Sequence, residues 1–241
     1  MKPTANTKQI GSLLVFGAVS LLIPYTILTS IFEYPVVLRQ DTATILTKFH
    51  EGGPRLIWTW FAFAMTGIPL IPAYLLIGQF VEKRTDTIRT ITTIGIIGLV
   101  VQLIGLLRWT FVVPVIAEAY VTTTDAAVKA AAIVSFKTIH QFGGVMLGEH
   151  LGQLFTIAWT VMLSLSLLNM KLFPKWLHGL GLISACIYLL AQAELFATVI
   201  PGFPVWQPAG FIGSTLWLLW LISLGIQFFK LTKHSSKSLK N

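Results

Sequence analysis

The chain has 241 residues, and its 17 Lys or Arg and nine Asp or Glu make only 11% charged residues, where a soluble domain carries roughly 25%. Hydrophobic residues reach 55% and mean hydropathy is +0.78, which excludes a disordered chain and a soluble enzyme. The net charge of +8 sits in short clusters between long apolar runs, a pattern that orients a membrane protein and does not serve nucleic acid.

A helix crossing the roughly 30 Å hydrocarbon layer needs about 20 mostly apolar residues. Residues 10–32 are the first such run. Lys2 and Lys8 precede it, but its apolar core is longer than the about 7–15 residues of a signal peptide, so it reads as a retained helix. Residues 33–55 read as a long loop of mixed charge with a turn at Phe49-His50-Glu51-Gly52-Gly53. The second span, 56–81, contains Pro69 and Pro72, which predict a kink. Broken helices line transport sites, but the chain shows no repeated half with matching breaks. The third span, 90–117, contains Arg108. In the following stretch, 118–138, Thr124 or Asp125 is placed to cap an Ala-rich helix. That helix extends the fourth span, 139–169, outward, with a bend expected at Gly143-Gly144 and with Glu149 and His150 inside the span. The fifth span, 176–200, holds His178 and Glu194, and a compact Pro/Gly turn at 201–210 leads to the sixth, 211–229, and a short basic tail, 230–241.

The expected fold is therefore all-α: one domain, a polytopic bundle of six transmembrane helices. With the N-terminus inside, 11 Lys or Arg fall on the inner side and five on the outer, Arg108 being the seventeenth. Both termini are thus expected in the cytoplasm. Trp58, Trp60, Trp109, Trp176 and Trp206 fall near span ends, as interfacial belts do. The single cysteine, Cys186, leaves no intrachain disulfide, covalent haem or iron–sulfur cluster, and reads as a buried inert thiol.

Depth is the most informative feature. Arg108 lies 19 residues beyond Arg89, Glu194 lies 19 beyond Lys175, and His150 and Glu149 lie 21 and 22 from Lys171. At 1.5 Å per residue these are all about 28–33 Å from the inner side. Three helices thus carry ionisable groups to one level near the outer edge, with His140, Gln141 and the His50 turn further out. On the fourth helix Gly144, Gly148 and Gly152 form a stripe for close packing. At about 100° per residue, Glu149, His150 and Gln153 lie on the far side of it. On the third, Gly95, Gly98, Gln102 and Gly105 share a face that Arg108 follows.

Intramembrane charges are costly and mark functional sites by default, whereas ion pairing between helices or snorkelling is the structural alternative. The binding candidates are Arg108, Glu149, His150, Gln153, Glu194, His140 and His50. A metal would draw on His50, His140, His150 and Glu149, since imidazole and carboxylate suit zinc, copper or iron. Acid/base catalysis would fall to Glu149, His150 or Glu194. No Lys lies within a span, which removes a retinal Schiff base. The spacings lack GxxxxGK[ST], HExxH and GxSxG. A non-covalent haem would need a partner beyond His140 and His150, which are about 15 Å apart along one helix.

The strings Phe49-His50-Glu51-Gly52-Gly53, Leu107-Arg108-Trp109-Thr110-Phe111-Val112-Val113-Pro114 and His140-Gln141-Phe142-Gly143-Gly144 carry a resemblance, as does the run from Gly148-Glu149-His150 to Ala158-Trp159-Thr160. The chain resembles a group of bacterial multi-pass membrane proteins classed as a domain of unknown function. That resemblance implies a bacterial cytoplasmic membrane and supplies no activity. The leading expectation is a protein that binds a small amphipathic ligand or a metal in the outer polar cluster. A membrane-embedded enzyme is the alternative. Another is a structural subunit whose glycine stripes meet membrane lipid, a second copy or a partner.

Overall fold

Hydropathy dictates helices here, because backbone N–H and C=O groups find no water in hydrocarbon and must bond within their own segment. The structure, a computed structural model, describes residues 6–82 and 87–238. Lys2, Lys83, Arg84 and Lys240 of the inner-side count lie outside them. Among the described residues there is no strand, and six helical stretches are long and apolar enough to cross a membrane: Thr7–Phe32, Thr42–Val81, Ile88–Thr122, Ala126–Asn169, Lys175–Ala197 and Ala209–Thr232. The chain is an integral membrane protein with an all-α fold.

The elements are α1 (Asn6–Phe32), a 3₁₀ turn (Val36–Arg39), α2 (Thr42–Met65), α3 (Leu70–Val81), α4 (Ile88–Phe111) and α5 (Val113–Thr122). Then come α6 (Ala126–Ile139), a π-helical segment (His140–Leu151), α7 (Gly152–Asn169), α8 (Lys175–Leu190), α9 (Gln192–Ala197) and α10 (Ala209–Ser238). Proline explains two of the interruptions. Pro69 ends the break after Met65 as the residue before α3, and Pro114, with no N–H to offer the carbonyl four residues back, lies at the start of α5 after Val112.

Several expectations are corrected. The stretch 33–55 is mostly helix: Asp41 caps α2, its carboxylate accepting from the Thr44 amide at 3.0 Å. The turn expected at 49–53 shrinks to one residue, Gly53, at φ 53° and ψ −152°, which lets the helix resume at Pro54. In the other outer stretch Asp125 is the cap, accepting from Ala127 at 2.8 Å. The fifth span breaks at Ala191 and ends at Ala197 instead of 200. Cys186 is exposed and not buried. Trp58, Trp176 and Trp206 are exposed as a belt requires, but Trp60 and Trp109 are fully buried.

The chain divides into two compact units, 1–19 with 68–100 and 152–241, and 20–67 with 101–151. In the first, α8 packs on α7 and α10, and Tyr74 stacks on Trp159 with centroids 3.6 Å apart. Two buried threonines bond within their own helix, Thr156 donating to the Gly152 carbonyl and Thr160 to that of Thr156, and Trp217 Nε1 donates to Thr160 Oγ1 at 3.0 Å, whereas the Ser164 and Tyr74 hydroxyls have no partner among the protein atoms. In the second unit α5 packs on α2 and α6. Its core is aromatic: Trp60 and Trp109 stack at 4.8 Å, ringed by Phe32, Phe49 and Phe136.

Candidate functional site

The second unit buries one charge in this aromatic core. Arg108, near the end of α4, is only 7% exposed. Its Nη1 donates to the carbonyl of Gly105, one turn back. Nη2 faces His140 Nδ1 at 3.5 Å, and Nε has no partner among the protein atoms. The guanidinium carbon lies 5.2 Å from the Trp109 ring centroid, a cation–π distance. His140 is held in turn by Phe136, which stacks on its ring at 5.3 Å, and by the edge of Trp109 at 6.0 Å. The negative charge that acts on Arg108 comes from Glu149.

Glycine makes the room. A Cβ on Gly144 would collide with the Arg108 guanidinium. A Cβ on Gly105 would stand 2.6 Å from the Gly148 Cα and 2.8 Å from the Gly143 carbonyl oxygen. The close neighbours of Gly105 are thus two glycines five residues apart, not four. That is the spacing of a π-helix, whose backbone closes from i to i+5. One residue further on, the same step leads from Gly144, against the guanidinium, to Glu149. The α-helical angles place Glu149 on the far side of the glycines. The π register over 140–151 corrects this and brings its charge to Arg108.

The remaining candidates fall in both units. His50 Nδ1 lies 3.3 Å from Glu118 Oε2, both well exposed, in a pair that the sequence analysis did not anticipate. His150 follows Glu149 in the π segment and is half-buried. Gln153 and Glu194 belong to the other unit, where Gln153 accepts from Gln192 Nε2 at 2.6 Å. His178 is buried in that unit too. Among the described residues no three or more His, Cys, Asp or Glu side chains are grouped to hold a metal. The residues missed were Trp109, which lies against Arg108, and Trp60 and Phe136, which pack on Trp109. Their signal was Trp109 directly beside an intramembrane arginine.

The comparisons with known proteins add one finding. The model of a family described as a domain of unknown function (DUF4386) matches residues 9–225. No curated protein and no solved structure matches the chain.

Proposed function

The chain belongs to this family of unknown function, and from that premise we propose that it is a binding protein of the bacterial cytoplasmic membrane, holding the polar head of a small amphipathic ligand at Arg108. The supporting observation is the guanidinium itself: nine-tenths buried, with Trp109 and His140 beside it and its Nε–H lacking a protein acceptor. A buried ion of this kind costs several kcal/mol even after relaxation, about as much as a structural lock would return. Aromatic surface beside an unpartnered donor is what an amphipathic molecule needs, apolar surface for its body and a directed hydrogen bond for its head. The proposed orientation has both termini in the cytoplasm, supported by the excess of Lys and Arg on the inner side.

Native mass spectrometry of the full chain in mild detergent tests the binding. A stoichiometric lipid-like mass is expected in the wild type and is lost in Arg108→Lys, which keeps the charge but not the planar fork. The same mass retained by Arg108→Lys and Arg108→Gln, with unchanged melting, would reject the site. Orientation is tested separately, with an impermeant maleimide on Lys129→Cys in a Cys186→Ser background. Labelling in intact cells is expected, and its absence there together with labelling of inverted vesicles would reverse the topology.

A further inference from the structure

Resting on the binding site proposed at Arg108, we infer that its ligand has an acidic head, a carboxylate or a phosphate, which takes the guanidinium over from Glu149. The inference starts from register. Gly143 and Gly148 both meet Gly105, and that five-residue step is what brings Glu149 to the arginine that lies over Gly144. The register therefore already sets an acid's charge against this guanidinium, through a long π-helical segment, a form that is rare and concentrates at functional sites.

Charge balance then selects the ligand. A neutral head that displaced the Glu149 carboxylate would leave a nine-tenths-buried guanidinium with no counter-ion, and an unpaired buried ion is strongly penalised. An acidic head exchanges one anion for another. The planar fork of arginine also matches the two oxygens of a carboxylate or phosphate, and the buried, unpartnered Nε–H supplies one tine. Of the two partners, Glu149 is the one able to leave. It is half-buried, whereas the arginine is pinned by Gly105, Gly144 and His140. The sequence contains the second register as well: Gly144, Gly148 and Gly152 repeat every four residues. In an α-helical register Gly148 follows Gly144 on one face, and Glu149 turns about 100° away from it.

The test is a titration of the full chain in an uncharged detergent with three probes that share an oleoyl tail: oleate, oleoyl lysophosphatidate and the neutral monoolein. Calorimetry is expected to find at least one of the two acids binding tenfold or more tightly than monoolein, and the tighter acid identifies the head. Glu149→Gln removes the internal competitor and is expected to tighten the acids about tenfold while leaving monoolein unchanged. Glu149→Asp, whose shorter carboxylate reaches less far, falls between, and serves if the glutamine variant folds poorly. Monoolein binding as well as both acids, or acids weakened by Glu149→Gln, would overturn the acidic head and leave a binding site at Arg108 standing. Binding of none of the three by wild type or by either variant would overturn the binding site itself.

Discussion

The two units bury polar groups of different kinds. The unit built from 1–19, 68–100 and 152–241 buries neutral groups, among them the Thr156 and Thr160 hydroxyls that bond to their own helix, and its glycines admit side chain and backbone alike: Gly95 makes room for Trp159, and Gly11 meets the Gly225 carbonyl. The unit built from 20–67 and 101–151 buries a guanidinium, and its glycines admit backbone and charge. Local hydroxyl bonds are cheap to keep in a membrane, because the carbonyl one turn back is always within reach. A buried arginine has no such local remedy. It needs a carbonyl, an imidazole, a carboxylate and a missing Cβ from separate places in the chain, and a unit that assembles all four does so at a cost in stability that packing alone does not require.

Removing the charge should therefore separate the units most. Arg108→Leu is expected to destabilise by about 4 kcal/mol, since it strands Glu149 and His140. The double variant Arg108→Leu with Glu149→Met should recover most of that loss, because an apolar pair of similar volume is often neutral. Denaturant unfolding in micelles measures both. A double variant as unstable as the single one would mean that Glu149 is not the counter-ion.

Backbone contact is next. Gly105→Ala drives a methyl into the Gly148 Cα and the Gly143 carbonyl, and should cost about 2–3 kcal/mol. Gly179→Ala has nothing within 4 Å of its new methyl and should stabilise α8 by about 0.5–1 kcal/mol. Equal effects at the two positions would remove the close approach on which the π register depends. In the hydroxyl-bearing unit, Thr160→Val deprives Trp217 Nε1 of its acceptor and should cost only about 1 kcal/mol. A loss as large as that of Arg108→Leu would erase the contrast.

These contrasts also explain what the sequence could and could not carry. The six spans were legible because hydropathy is a property of composition, indifferent to neighbours. Arg108 and Glu149 were legible as charges in apolar runs. Their meeting was not, because Gly143, Gly144 and Gly148 offer spacings of four and five alike, and only contact with Gly105 selects five. Trp60 and Trp109 read as belt residues because depth along a helix can be counted from the sequence while rotation about it cannot. The helix from Thr42 was hidden by Gly52-Gly53-Pro54, which usually ends a helix. Here the positive φ of Gly53 absorbs the kink, and the helix resumes at Pro54.

The smallest effect belongs to the approach to the second span, and acid should reveal it. The Glu33 carboxylate accepts from Lys48 Nζ at 2.8 Å, and this hydrogen bond, with the Lys48 charge, holds its pKa below the ordinary value. Asp41 accepts from the Thr44 hydroxyl at 2.5 Å and from the Thr44 amide, which lowers its pKa likewise. A carboxyl whose pKa is lowered by folding binds a proton more readily in the unfolded chain. Its stabilisation is thus complete above the unfolded pKa, near about 4, and is lost as the pH falls through the lower folded value. Both groups are exposed, so water screens the effect and only the start of α2 should loosen. Hydrogen exchange over 36–46 is expected to quicken between about pH 5 and pH 3 after correction for intrinsic rates. Asp41→Asn should flatten that dependence by removing the titrating cap, while the amides around Thr156 and Thr160 stay unchanged. Acid sensitivity spread evenly over both stretches would mean that the charged and the hydroxyl-bonded units yield together.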